Sequence, residues 1–207
     1  MHLPDGIIPL YQAIVYWIIS IIILALFFYK FSKDENKQKR VVSSALLSVI
    51  SIIVSSLSIP SPLGIPIHFF IIPLVAILLG PLNGSIVSFL SLAIQGIFLG
   101  MGGITCFGAN FIVMGVILSF TTYGFYKLFI EINEKLAIFG GTIIGILFAT
   151  IGQIAILLIS GAMNFESLLA TLLPFYLFIS VIEGFATVII ISAIKSTKPE
   201  IMEINKI

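Results

Sequence analysis

Residues 8–40 read IPLYQAIVYWIISIIILALFFYKFSKDENKQKR, an apolar run that ends in a charged stretch. A transmembrane helix needs about 20 mostly apolar residues, and residues 8–29 reach that length. The basic residues follow this run instead of preceding it, so the start of the chain lacks the pattern of a signal peptide. Basic residues after a first span hold that end in the cytoplasm, which predicts an N-terminus outside the membrane.

The composition of the whole chain extends this prediction. Of the 207 residues, 59% are hydrophobic and 9% are charged, whereas soluble domains are about 45–50% apolar and about 25% charged. We therefore expect an all-α polytopic membrane protein. The net charge of +1 gives no indication of a nucleic-acid partner. The single cysteine excludes an intrachain disulfide and any site built from several cysteines.

Seven apolar segments are separated by polar, glycine-rich or proline-rich stretches. The third and fourth are short, and GPLNG at residues 80–84 favours a turn between them over one kinked helix. The predicted helices cover residues 8–29, 41–59, 68–79, 85–99, 110–130, 136–160 and 174–195.

The basic residues decide between six and seven spans. With seven spans all of them fall on one face, which the positive-inside rule assigns to the cytoplasm. Six spans would place the two lysines between the fifth and sixth helices outside. The sequence therefore predicts seven transmembrane helices, an outer N-terminus and a cytoplasmic C-terminus. The basic residues are Lys30, Lys33, Lys37, Lys39, Arg40, Lys127, Lys135, Lys195, Lys198 and Lys206.

The chain has two histidines, and this topology places both on the outer face. A free amine on Met1, the backbone amide of His2 and Nδ1 of its imidazole can chelate one ion in a plane. Three planar nitrogens leave a fourth corner, which His68 can fill if the N-terminal hexapeptide folds inward. Planar nitrogen ligation suits Ni²⁺ or Cu²⁺. The ligands must be deprotonated, so we expect affinity to rise with pH.

Simpler interpretations of the two histidines stay open on the residues alone. A histidine beside an N-terminus is commonly incidental, and His68 at the start of a helix is typical of an interfacial side chain. The chelate also requires that Met1 is retained with a free amine, which the bulk of His2 favours.

The opening hexapeptide MHLPDG resembles the start of the CbiM/NikM-type cobalt- and nickel-binding membrane subunits of energy-coupling factor transporters. The resemblance continues in SSLSIPSPLGIPIH at residues 55–68 and in ILLGPLNGSIVSFLSLAIQGIFLGMGGITCFGAN at residues 77–110. These three motifs occur in the family's order over about the first 115 residues. The remainder of the chain matches the family in hydrophobic layout only.

The resemblance implies a metal bound by the terminal amine of Met1, the backbone amide nitrogen and imidazole of His2, and His68. It also implies one transmembrane substrate-binding domain over residues 1–207, in which residues 1–7 form a metal-capturing N-terminal segment. The first of the seven helices then delivers this segment to the site.

Three further residues are candidates for supporting the ion. Asp5 matches the motif's acidic position, where it holds the hexapeptide or accepts a hydrogen bond from a ligand imidazole; a turn with Gly6 is the simpler alternative. Met101 stands where the family has a histidine, and Cys106 where it has a threonine. Both are soft ligands in principle, and an apolar lid over the site is their simpler use.

The resemblance implies a transport subunit and not an enzyme, with Ni²⁺ or Co²⁺ as the transported substrate. The planar chelate at position 2 and the Pro-Asp-Gly form of the hexapeptide slightly favour nickel. The implied place of the subunit is the cytoplasmic membrane of a prokaryote, beside a scaffold T subunit and two cytoplasmic ATPase subunits, with room for a small accessory membrane subunit. The chain has no Walker motif, so hydrolysis of ATP must come from partners. Two alternatives stay open: a vitamin-binding subunit of the same superfamily, and a non-transport membrane protein such as an intramembrane hydrolase.

Two other features lie inside the predicted spans. Glu183 is an intramembrane carboxyl group, a functional candidate that we expect to hydrogen-bond to Gln153 or Asn110 if it is neutral. Four serines line one face of the second helix at helical spacing, and such small faces let helices approach closely. This face either contacts the scaffold subunit or packs inside the chain. The serines are Ser44, Ser48, Ser51 and Ser55.

Overall fold

The computed structural model describes residues 2–33, 37–57 and 68–199. These residues form helices and no strands, and six of the helices are long and apolar enough to cross a membrane. The prediction of an all-helical polytopic membrane protein is therefore confirmed. The helices are α1 (Leu10–Ser32), α2 (Lys37–Ser56), α3 (Ile72–Leu79), α4 (Pro81–Phe98), α5 (Phe107–Phe129, with a π-helical turn at Ile112–Ile117), α6 (Glu134–Ile159) and α7 (Phe165–Thr197).

The start of α7 differs from the prediction because of a cap. The side chain of Asn164 accepts a hydrogen bond from the backbone N–H of Ser167 at 2.8 Å, which satisfies a donor that the first helical turn would otherwise leave unpaired. The helix therefore begins at Phe165, and the predicted start at Pro174 is wrong. That proline lies inside the helix, as membrane helices tolerate when surrounding groups compensate for the lost hydrogen bond.

The start of α4 also lies earlier than predicted. The turn in GPLNG is made by Gly80, which has φ of 87°, a conformation that glycine adopts without steric cost. Pro81 is the first helical residue, where its fixed φ suits a helix and its missing N–H costs nothing. The remaining residues of the motif belong to the first turn of α4, so the predicted start at residue 85 is wrong.

Helix α3 is shorter than predicted, and all eight of its residues are buried. Residues 68–71 are not helical, and Ile71 has φ of 58°, so the predicted start at residue 68 is wrong. A helix of this length extends about 12 Å, whereas a bilayer core is about 30 Å thick. Helix lengths therefore do not confirm the predicted count of seven full spans.

Two contacts establish the direction of the chain from residue 68 to residue 79. The Nδ1 atom of His68 lies 3.0 Å from the carbonyl oxygen of Ser55, near the end of α2. The carbonyl oxygen of Leu79 accepts a hydrogen bond from Arg40, near the start of α2, at 3.5 Å. Residues 68–79 therefore run antiparallel to α2 along most of its length.

The serine face of α2 packs inside the chain, against α4. The hydroxyl of Ser44 lies 3.4 Å from Oδ1 of Asn83, and the hydroxyl of Ser55 accepts a hydrogen bond from Gln95 at 2.5 Å. Internal packing is thus the alternative that the structure favours, and a scaffold contact through this face is wrong. The buried members of the face are Ser44, Ser48, Ser51 and Ser55.

Candidate metal centre

The N-terminal segment, residues 2–7, lies against the glycine-rich loop, residues 99–106, at one end of the helix bundle. The backbone N–H of Leu3 donates to Oδ1 of Asn110 at 2.8 Å, and the Asn110 side-chain amide donates back to the Leu3 carbonyl at 3.1 Å. The N–H of Gly103 donates to the same carbonyl at 2.9 Å. Because Leu3 is also buried, at 2% exposure, the segment is held both by its backbone and by an apolar side chain.

Asp5 fastens the same segment to the loop. One of its carboxylate oxygens accepts hydrogen bonds from the side-chain hydroxyl of Thr105 at 2.5 Å and from its backbone N–H at 2.7 Å. These hydrogen bonds lower the pKa of Asp5, so the carboxylate is ionised at neutral pH. Asp5 also forms a turn with Gly6, which has φ of 84°. Asp5 therefore both holds the N-terminal segment against the loop and forms the turn with Gly6.

Gly103 is what permits this close approach. A β-carbon at residue 103 would overlap the backbone nitrogen of Asp5 and lie 2.7 Å from its carboxyl carbon. Backbone and an anchored carboxylate cannot move aside as a flexible side-chain tip can. Docking of the N-terminal segment therefore requires glycine at this position.

Cys106 supports the segment instead of offering a thiolate. Its side chain is completely buried, and its thiol donates to the carbonyl oxygen of Pro4 at 3.0 Å. Burial raises the pKa of the thiol, and a protonated thiol is a poor metal ligand. The structure places Met101 just beyond the end of α4. Its backbone N–H donates to the carbonyl of Gln95 at 3.0 Å, so this hydrogen bond ties the start of the glycine-rich loop to the last turn of α4.

A chain of hydrogen bonds determines which nitrogen of His2 is available. A backbone carbonyl can only accept, so the hydroxyl of Ser55 donates to the carbonyl of Ser51 and accepts from the amide nitrogen of Gln95. The carbonyl oxygen of the Gln95 side chain then lies 3.2 Å from Nε2 of His2. Nε2 must carry the proton to make this bond, which leaves the lone pair on Nδ1.

The same reasoning applies to His68. Its Nδ1 atom lies 3.0 Å from the carbonyl oxygen of Ser55, which can only accept, so Nδ1 carries a proton and Nε2 is the nitrogen that can bind an ion. Ser55 thus contacts His68 through its backbone and Gln95 through its side chain. A metal-binding histidine commonly has its second nitrogen bonded to an acceptor in this way.

The environment keeps the His2 ring neutral. Burial and, after it, the positive charge of the amino terminus lower the pKa of His2 from 6.5 to about 4, and His68 adds a smaller electrostatic contribution. The imidazole is therefore unprotonated at neutral pH, the form that binds metals. The two rings are connected through Ser55, which contacts His68 directly and His2 by way of Gln95.

The predicted ligand Met1 lies outside the described residues, and its amine stays a prediction. Within the described ranges, no group of three or more His, Cys, Asp or Glu side chains could hold an ion. A metal site here would therefore need the two imidazoles together with backbone or terminal nitrogens.

The predicted partners of Glu183 are wrong. Its carboxylate accepts hydrogen bonds from the backbone N–H groups of Phe70 and Ile71, and Asn110 is bonded to Leu3 instead.

Four residues around the site were not predicted as site residues. They lie within the motif stretches 55–68 and 77–110, but their side chains are common packing residues whose type does not signal a role. They are Ser55, Gln95, Thr105 and Asn110.

Comparison with known proteins identifies one family. The model of the family CbiM, described as the cobalt uptake substrate-specific transmembrane region, matches residues 2–201. The cobalt transport protein CbiM of Lachnoclostridium phytofermentans is 32% identical over 206 residues, which cover 95% of this chain and 82% of that protein. The putative fused nickel transport protein NikMN of Archaeoglobus fulgidus is 30% identical over 207 residues, covering 98% and 68%.

Solved structures agree with the fold. A crystal structure described as a truncated transition metal transporter superposes with a TM-score of 0.85 at 25% identity. The superposition covers 95% of this chain and 99% of the other.

Proposed function

Because this chain belongs to the CbiM family of cobalt-uptake transmembrane proteins, we propose that it captures a nickel or cobalt ion at the outer face of a prokaryotic cytoplasmic membrane. Its relatives are named cobalt and nickel transport proteins. The observation that carries the proposal is the pair of imidazoles joined through Ser55: Nδ1 of His68 is bonded to its carbonyl oxygen, and Nε2 of His2 is bonded to Gln95, which donates to its hydroxyl. The other nitrogen of each ring is the one that can offer a lone pair to an ion.

The proposed ligands are the amine of Met1, the backbone amide nitrogen and Nδ1 of His2, and Nε2 of His68. The amine and amide nitrogens close a five-membered ring with the metal, and the amide nitrogen and Nδ1 close a six-membered ring. Chelation of this kind needs Nδ1 of His2, which is the nitrogen that the Gln95 hydrogen bond leaves unprotonated. The proposed set has four nitrogens in a plane.

Nickel is slightly preferred over cobalt in this proposal. A square plane of nitrogen ligands suits Ni²⁺, and Ni²⁺ stands above Co²⁺ in the general order of affinity for nitrogen sites. The names of the relatives mention both cobalt and nickel, so they do not distinguish the two metals. The preference for nickel therefore rests on the planar ligand set.

The proposed topology has seven crossings, an outer N-terminus and a cytoplasmic C-terminus. Residues 68–79 complete the count of seven as the third crossing along the chain. They cross partly as extended chain and run antiparallel to α2 along most of its length. The ion pair between Lys195 and Glu134, at 2.5 Å, joins the end of α7 to the start of α6. The basic residues then share one face, as the positive-inside rule requires.

The proposed partners are a scaffold T subunit and two cytoplasmic ATPase subunits, with a small accessory membrane subunit as a further candidate. The chain has no Walker motif, so the energy of ATP hydrolysis must reach it from another protein. A vitamin-binding subunit of the same superfamily is the alternative. It would need neither a free terminal amine nor the two histidines.

Blocking the N-terminus is expected to abolish most metal binding. The purified protein with its native N-terminus should retain Ni²⁺ or Co²⁺ in elemental analysis after gel filtration. A variant with several residues added before Met1, and His2→Ala, should each retain much less, because each removes a chelate ring. Equal metal content in all three proteins, or none in any, would contradict the proposed site, and a vitamin-binding subunit would keep its substrate in the extended variant.

Gln95→Leu is expected to weaken Ni²⁺ binding about 10- to 100-fold, the usual cost of removing a hydrogen-bond partner of a ligand histidine. Gln95→Glu should lose much less, because its carboxylate still accepts from Nε2 of His2. The matched control is Ser56→Ala, whose hydroxyl donates to the carbonyl of Ile52 and to no other group in the described ranges. Titration calorimetry measures all three, and equal affinities for the leucine and glutamate variants would count against the hydrogen-bond role.

A further inference from the structure

Glu183 is a buried carboxylate in α7 that lies outside the proposed ligand set. Its side chain is 3% exposed, and ionisable groups inside a bilayer are costly unless they are partnered. Its two oxygens accept hydrogen bonds from consecutive backbone N–H groups, those of Phe70 at 3.0 Å and Ile71 at 2.8 Å. The carboxylate therefore holds the turn that leads into α3.

The backbone that Glu183 holds is unfavourable on its own. Ile71 has φ of 58° and is the one non-glycine residue with a positive φ in the described part of the chain. A β-branched side chain rarely adopts this conformation, because its Cβ meets backbone atoms. Successive N–H groups in such a turn point to a common side and attract an anion, which Glu183 supplies.

The turn is close to His68 in sequence and in space. His68 bonds to the carbonyl of Ser55 on α2 at 3.0 Å, and Phe70 lines the same small cavity as Ser55. The ring of Phe70 packs against Tyr176 of α7, with centroids 6.1 Å apart. This short segment is therefore anchored to α2 at its His68 end and to α7 at its Ile71 end.

We propose that Glu183 is a positioning residue for metal binding, which holds the turn at residues 70–71 so that His68 presents Nε2 to the ion. This inference rests on the proposed function, because it requires His68 to be a ligand. Glu183 acts through the backbone and does not touch the ion. Its loss should therefore remove the contribution of His68 and leave that of His2 intact.

A double-mutant cycle between Glu183 and His68 tests this role. The affinity for Ni²⁺ is measured by competition with a chromophoric chelator, using the full chain with its native N-terminus. Glu183→Gln keeps the shape of the side chain but leaves it one acceptor oxygen. One of the two backbone N–H groups that Glu183 binds would then face the amide NH2 group, which is also a donor. We expect Glu183→Gln to weaken binding about tenfold or more in the native background and to have no effect in the His68→Ala background.

The absorption spectrum of bound Ni²⁺ provides a readout that a general loss of stability would not change. The d–d band of Glu183→Gln should shift toward that of His68→Ala, because both have a weakened fourth nitrogen. The matched control is Thr187→Val, one turn along α7 and also buried at 2% exposure, which should leave the spectrum and the affinity unchanged. Glu183→Asp, which keeps a carboxylate on a shorter side chain, should lose less affinity than Glu183→Gln and serves if the glutamine variant does not fold.

The outcomes separate this inference from the proposed function. Binding that depends on His68 but is unchanged in Glu183→Gln overturns the positioning role alone. An equal loss in the native and His68→Ala backgrounds also overturns it, since Glu183 would then act on the whole protein. A native chain that binds no Ni²⁺ contradicts the proposed function, and the positioning role of Glu183 fails with it.

Discussion

His68→Ala is expected to weaken Ni²⁺ binding by more than about 100-fold, because losing a ligand costs more than losing the partner of a ligand, which costs about 10- to 100-fold. Three nitrogens from the N-terminus would remain, with water in the fourth corner of the plane. Because a lone pair on Nε2 is the proposed contribution of His68, the loss should appear in calorimetry and as a shift of the Ni²⁺ absorption band.

An inserted residue provides the matched test of that expectation. One alanine placed between Met1 and His2 moves the imidazole to position 3, where the amine, two amide nitrogens and the imidazole fill all four corners. Nickel binding by this variant should no longer depend on His68. If His68→Ala weakens binding to the same extent with and without the insertion, His68 does not occupy the fourth corner.

Gly103→Ala is expected to undock the N-terminal segment and thereby reduce metal binding to the level of the variant extended before Met1. The added methyl group would overlap the backbone nitrogen of Asp5, which hydrogen bonds hold against the loop. The segment then has no position in which both Leu3 and Asp5 keep their partners. Bound Ni²⁺ after gel filtration measures the effect.

Cys106 gives a second readout for this variant, independent of metal. It is the chain's one cysteine, it is completely buried, and its thiol donates to the carbonyl of Pro4. Undocking should expose it, so maleimide labelling should be much faster in Gly103→Ala than in the native protein. The control is Gly96→Ala, where an added methyl meets no atom within 4 Å among the residues that the structure describes. Slow labelling together with lost metal would show that Gly103 acts by another route.

The sequence predicted the helical segments well where apolar runs are long. Each run of about 20 apolar residues gave a helix of spanning length, because burial of backbone polar groups in lipid requires helices. The boundaries failed at the third, fourth and seventh segments. At the fourth and seventh segments a proline or glycine pattern was interpreted as a break, whereas the turn at Gly80 and the cap by Asn164 determine where α4 and α7 begin. At the third segment the predicted helix included residues 68–71, which are not helical.

The candidate site was predictable in its histidines and much less so in their surroundings. Imidazole and carboxylate groups are common metal ligands or partners of ligands, so the residue types of His2 and Asp5 were enough to single them out. The family motifs then supported both choices. Gln95 and Ser55 have side chains that occur throughout membrane helices. Their role depends on hydrogen bonds between residues that lie 40 or 93 positions apart, and no local pattern contains that information.

By itself, the sequence determined that the chain is a membrane-embedded helical protein, because its apolar content leaves no soluble alternative. It also singled out a histidine beside the amino terminus and one other histidine. Only the tertiary structure decided that the serine face of α2 packs inward and that Glu183 holds the turn before α3. The physical reason is that a buried polar group must find a partner, and which partner it reaches depends on how distant segments pack.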